Sequence, residues 1–66
     1  MKNRLKVARA ELNITQGELA EKIGVTRQAV NSIELGKYVP STVLALKMAQ
    51  LFGKCVEELF QLEEDD

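Results

Sequence analysis

Apolar residues recur along the chain at three- and four-residue intervals, and nowhere do they alternate with polar ones over a strand's length. β-branched residues are scattered and strand signals are missing, so the expected class is all-α. Leu5, Ala8 and Leu12 fall on one face of a first helix from about Asn3 to Leu12, with Lys2, Lys6 and Arg9 largely off it. Asn13, a residue that tolerates the left-handed conformation, ends that helix. Thr15 followed three residues later by Glu18 forms a capping box for a second helix, whose buried stripe is Leu19, Ala20 and Ile23. Gly24 stops it. Thr26 caps a third helix from about Arg27 to Leu35, with Val30 and Ile33 inward and Gly36 at its end.

Lys37 to Pro40 read as a connecting loop, because proline disfavours helix at the residue before it, and Ser41 offers the next N-cap. A fourth helix from about Thr42 to Phe52 buries Leu44, Ala45, Met48, Ala49 and Phe52, and Gly53 ends it. A short fifth, from Val56 to about Gln61, presents Val56, Leu59 and Phe60. The expected architecture is a single five-helix domain over residues 1–62, followed by an acidic, frayed tail over 63–66.

Composition narrows the function classes. The 66 residues leave room for one small core, and a domain of this size buries only about 60% of its extended-chain surface, so a second copy can matter to stability. With 45% apolar and 29% charged residues the chain reads as a folded, water-compatible domain. There is no His and one Cys, Cys55, which removes Ser-His-Asp and Cys-His catalysis, zinc clusters and internal disulfides together. No constellation of nucleophile, base and orienting group is visible, so the expectation is a non-enzyme without metal or cofactor, and no small-molecule effector site is evident. Cys55 reads as a small buried apolar residue. The Met1 to Arg4 start leads into no apolar run of signal-peptide or membrane-span length, and a cytoplasmic protein is expected. The net charge of −1 hides an asymmetry: residues 1–40 carry seven basic against four acidic side chains, while residues 41–66 carry two against six. Such a split can mark a nucleic-acid face opposed by an acidic end.

The informative feature is the pair of short helices joined through Gly24, Val25 and Thr26. That spacing describes a helix-turn-helix, in which the second helix enters the DNA major groove. Ala20 must be small where the two helices cross, Gly24 must permit the sharp turn, and Leu19, Ile23, Val25, Val30 and Ile33 must hold one helix on the other. The run Thr15-Gln16-Gly17-Glu18-Leu19-Ala20-Glu21-Lys22-Ile23-Gly24-Val25-Thr26-Arg27-Gln28 carries a likeness, extended by Ile33-Glu34, Gly36-Lys37, Pro40-Ser41, Leu51-Phe52-Gly53 and Glu57-Glu58-Leu59-Phe60. Over nearly its whole length the chain resembles compact members of the phage repressor and Cro-like helix-turn-helix regulators, the xenobiotic-response-element type.

The resemblance implies a five-helix repressor-like fold and a role for each matching position. Gln16 resembles a phosphate-contacting residue at a helix start. Arg27, Gln28 and Asn31 occupy the exposed start of the recognition helix, where Arg suits guanine and Gln or Asn suits adenine, with Ser32 one step further round. Thr26, Lys37 and Tyr38 look like backbone contacts that fix register, and Arg9 with Glu34 matches a structural bridge between the first and third helices. Four positions depart from the pattern. Gly17 stands for a usual Glu or Ala, Leu35 for a polar residue, and Lys54 and Cys55 for a branched apolar residue and a Ser or Thr cap, so the fifth helix should start poorly.

The expected function is sequence-specific binding of double-stranded DNA as a transcriptional regulator, a repressor acting as a homodimer on a palindromic operator. Val43, Leu46, Val56, Phe60 and Leu62 exceed what one small core needs, and Val56, Leu59, Phe60 and Leu62 are the expected dimer contact. The alternative is a protein-interaction module, such as an antitoxin or antirepressor, kept open by the near-neutral charge.

Overall fold

Side chains that accept hydrogen bonds from unpaired backbone N–H groups decide where most of the helices begin. The computed structural model describes all 66 residues as β1 (Lys2–Asn3), α1 (Leu5–Leu12), α2 (Gln16–Ile23), α3 (Arg27–Glu34), α4 (Thr42–Phe52), α5 (Val56–Leu59) and β2 (Phe60–Gln61). At α2 the capping box is complete. Glu18 N–H donates to Thr15 Oγ1 at 3.0 Å, and Thr15 N–H donates to Glu18 Oε1 at 2.9 Å. Thr26 Oγ1 accepts from Ala29 N at 3.1 Å to open α3, and Ser41 Oγ from Leu44 N at 3.2 Å to open α4. The weak start expected for α5 is remedied from within, because Glu58 Oε1 accepts from Cys55 N at 2.9 Å. That bond, with the Lys54 charge, holds the Glu58 carboxyl below its usual range.

The first and last helices are shorter than the apolar pattern suggests, because their outer ends pair with each other. β1 and β2 form a two-stranded antiparallel ladder with Lys2 opposite Gln61 and Asn3 opposite Phe60, which corrects the expectation of a strand-free chain. Asn3 does not start α1 as a helical residue. Its Oδ1 accepts from Leu5 N at 3.2 Å and its Nδ2 donates to the Ile33 carbonyl at 2.8 Å, tying the start of α1 to the end of α3. Arg4 N–H then donates to the Leu59 carbonyl at 2.8 Å, and Phe60 turns extended, ending α5 two residues early.

The core gathers Leu5, Leu19, Val30, Ile33, Met48 and Leu59 as its most deeply buried side chains, so every helix contributes. Leu12, expected on the buried stripe, is 47% exposed, because the last turn of α1 reaches past the elements that cover Leu5 and Ala8. Ala45 and Phe52 are half-buried rather than buried, and Cys55 is exposed rather than buried. α3 ends one residue early, leaving Leu35 exposed as its C-terminal cap. The acidic tail turns back onto the start of the chain. Asp66 accepts from Glu63 N at 2.8 Å, and the Met1 ammonium lies 3.2 Å from Glu63 and 3.1 Å from Asp66. Those contacts raise the Met1 amine above its ordinary pKa.

Candidate nucleic-acid interface

Gly24 adopts φ of 75°, a left-handed value that a side chain would strain, and Val25 N–H returns to the Ala20 carbonyl at 3.0 Å. The chain can therefore leave α2 and restart as α3 within three residues. Leu19, Ala20 and Ile23 on α2 and Val30 and Ile33 on α3 are buried in one cluster, which fixes how the second helix sits on the first. The opposite face of α3 is left in solvent. Gln16, Arg27, Gln28, Asn31 and Ser32 together line a shallow concavity there that has no apolar wall. Five of the eight side chains expected to meet DNA are thus brought to one surface at the start of α3.

The other three lie around it. The Thr26 hydroxyl already caps α3, and Lys37 and Tyr38 sit exposed in the loop beyond its far end. Lys37 N–H closes that end on the Ser32 carbonyl at 2.9 Å. Arg27 and Lys37 have no acidic partner within ion-pair distance, so both charges are available to an anion.

Behind the concavity lies a hydrogen-bonded cluster. Arg9 Nε donates to Glu34 Oε2 at 2.6 Å and Arg9 Nη2 to Glu34 Oε1 at 3.1 Å, a two-pronged pair whose side chains are 15% and 3% exposed. Arg9 Nη1 also donates to the Ile14 carbonyl at 3.1 Å, anchoring the loop between α1 and α2. Burial pushes the Glu34 carboxyl up, but the hydrogen bonds from Arg9 and Gln16 and the charges of Arg9 and Lys6 outweigh it and hold the group below its usual range. Gln16 Nε2 donates to Glu34 Oε1 and to Asn31 Oδ1, each at 3.1 Å. Both amide protons of Gln16 are therefore engaged inside the protein. The bridge between Arg9 and Glu34 was implied by the family resemblance, but its continuation to Gln16 and Asn31 carries no local signal, since it joins residues 18 and 15 positions apart.

The expected dimer contact needs correction. Leu59 is fully buried and Phe60 is 7% exposed, because both pack into the chain's own core. Val56 is half-buried and Leu62 exposed. The exposed apolar surface includes a shallow cleft lined by Val39, Pro40, Ala45, Leu46, Val56 and an edge of Phe60, with Val43 exposed on α4. No helix is long and apolar enough to cross a membrane.

Comparison with known proteins agrees with this geometry. A family model described as helix-turn-helix matches residues 5–59. The chain is 52% identical over 66 residues to an HTH-type transcriptional regulator of Methanocaldococcus jannaschii, with both chains covered in full. It is 48% identical to the HTH-type transcriptional regulator YgzD of Bacillus subtilis, again over the whole of both. An HTH-type transcriptional regulator of Archaeoglobus fulgidus is 42% identical over all of this chain and 93% of its own length.

Proposed function

The chain belongs to the helix-turn-helix family of DNA-binding transcriptional regulators, and on that premise we propose that it is a repressor that reads a two-fold operator as a homodimer. The observation that carries this reading is the concavity at the start of α3, where Gln16, Arg27, Gln28, Asn31 and Ser32 converge without an apolar wall. Arg27 suits guanine O6 and N7, and Gln28 and Asn31 suit adenine N6 and N7. Thr26, Ser32, Lys37, Tyr38 and the α2 backbone at Gln16 serve the phosphates on either side and set the register.

One eight-residue helix spans only a few base pairs, whereas two half-sites about 34 Å apart multiply specificity. The domain extends 31 × 23 × 20 Å, a size that leaves room for two copies to occupy adjacent half-sites at that spacing. The apolar cleft beside α4, which keeps Val56 and an edge of Phe60, supplies the self-contact together with the exposed Val43 and Leu62, and without the fully buried Leu59. Repression follows from blocking polymerase at the occupied site.

Selection of bound duplexes from a random-sequence pool tests the reading. The expected result is a two-fold-symmetric consensus, with Gln28→Ala relaxing one position per half-site by about 1–3 kcal/mol. A consensus without symmetry removes the homodimer, and one indifferent to Gln28→Ala removes Gln28 from the base-reading set.

A further inference from the structure

The cluster behind the concavity does more than join helices, because the chemistry of each member restricts the next. Ionised Glu34 can only accept hydrogen bonds, and its Oε1 already accepts from Arg9 Nη2 at 3.1 Å. Gln16, at 3.1 Å from the same oxygen, must therefore turn its NH2 and not its carbonyl toward Glu34. The second proton of that NH2 points to Asn31 Oδ1 at 3.1 Å, so Asn31 must turn its oxygen toward Gln16. Amide planarity then sends the Asn31 NH2 away from Gln16, with one Oδ1 lone pair still free.

We propose that Arg9, Glu34 and Gln16 form a polarity clamp that holds Asn31 in one amide orientation, making Gln16 and Glu34 positioning residues for the base that Asn31 reads. This rests on the reading of Asn31 as a base-contacting residue. A side chain fixed with one donor and one acceptor matches adenine, whose N7 accepts and whose N6 donates, and opposes guanine, which presents two acceptors. Released from the clamp, the Asn31 amide can turn through 180°, and donor and acceptor exchange places. Discrimination at that base pair then falls even though Asn31 is unchanged. Gln16 itself offers only its carbonyl oxygen outward, so its amide contributes little to phosphate binding while the clamp is closed.

The test is selection from a random duplex pool with wild type, Asn31→Ala, Gln16→Met, Glu34→Gln and the Asn31→Ala/Gln16→Met pair, each first shown to be folded by thermal melting. Gln16 is only half-buried, so Gln16→Met keeps the test open if Glu34→Gln melts too low. The expected result is that Asn31→Ala erases preference at one base pair. Gln16→Met should lower preference at that same pair roughly fivefold or more while other positions stay within about twofold, and the double variant should match Asn31→Ala alone. A Gln16→Met protein that loses affinity equally for all sequences, with preference intact, overturns the clamp and leaves Asn31 as a reader. An Asn31→Ala protein with unchanged preference overturns the underlying reading instead, and the clamp with it.

Discussion

Replacing Arg9 with methionine keeps most of the side-chain stem packed but removes the guanidinium and its three hydrogen bonds, to Glu34 Oε1, Glu34 Oε2 and the Ile14 carbonyl. The Glu34 carboxylate, 3% exposed, is then left with the Gln16 amide as its remaining side-chain hydrogen bond and the more distant charge of Lys6. Exposed ion pairs contribute about 0–1 kcal/mol, whereas breaking a buried pair costs about 3–5 kcal/mol. Glu34 lies on the buried side of that range and Arg9, at 15%, nearer the edge, so a loss of about 2–3 kcal/mol is expected at neutral pH. A domain of 66 residues has roughly 3–10 kcal/mol in all. With an unfolding entropy of about 0.14 kcal/mol per degree, the melting temperature should drop by roughly 14–21 °C. The loss has a definite pH dependence. In wild type the folded carboxyl is depressed below its unfolded value, so its contribution is complete above the unfolded pKa and disappears as pH falls through the folded one. Without Arg9, burial dominates and raises the Glu34 pKa, so the variant recovers relative stability as the carboxyl takes up a proton. Urea melts of both proteins from pH 7 down to about pH 4 should show the gap narrowing through the carboxylate range. A loss below about 1 kcal/mol at pH 7, or a gap that stays constant with pH, would refute the assignment of Glu34 as a buried, charge-dependent partner.

Gly17→Ala should raise stability by up to about 1 kcal/mol, or roughly 7 °C, because a Cβ there meets only Thr15 Oγ1 at 3.8 Å and Arg27 Cδ at 3.9 Å; a thermal melt showing no increase removes helix propensity as the relevant factor. Leu46→Glu changes an exposed side chain beside the apolar cleft, so sedimentation should show a shift toward monomer with the fold intact, and an unaltered dimer places the self-contact elsewhere. The unpaired cations Arg27 and Lys37 give a slope of log K against log salt of about −2 for one bound protomer and about −4 for two, so a value near −2 on the selected operator excludes paired binding.

Signals that act within one turn of helix were legible in the chain. Thr15 with Glu18, Thr26, Ser41, Gly24 and Gly53 each bound or stop a helix through neighbours no more than five residues away, and the helices start and stop where those residues stand. What depended on distant partners was not. Asn3 continues the polar pattern of α1, and nothing near it announces that it will face Phe60 across a strand ladder and hold the Ile33 carbonyl. Leu12 obeys the helical stripe but lies beyond the reach of the elements that bury the rest of it. Leu59 and Phe60 show the limit most plainly, since an apolar side chain that closes a core and one that meets a second copy have the same chemistry in sequence. Of the DNA-facing candidates, Arg27, Gln28, Asn31 and Ser32 could be grouped by helical spacing, whereas the place of Gln16 among them follows from how α2 crosses α3.

The near-neutral total charge is a poor guide to how this surface meets a polyanion, because the charges are sorted in space. Among the four acids of residues 1–40, Glu34 is neutralised inside by Arg9, Glu18 is bound to the Thr15 cap and Glu11 lies 3.4 Å from Lys54, which leaves Glu21 as the one without a partner. Glu63 gathers with Met1 around Glu34, Leu35 and Gly36, at the C-terminal end of α3, while Arg27 and the free N–H groups lie at the other end. An eight-residue helix is about 12 Å long, about one and a half times the screening length of about 8 Å at physiological salt. Phosphates near the start of α3 therefore feel Arg27 and the positive pole of the helix, with the acidic tail largely screened. A larger surplus of positive charge would strengthen attraction to every sequence equally. The same charges arranged with a sign along α3 favour one approach, with the start of the helix leading toward DNA.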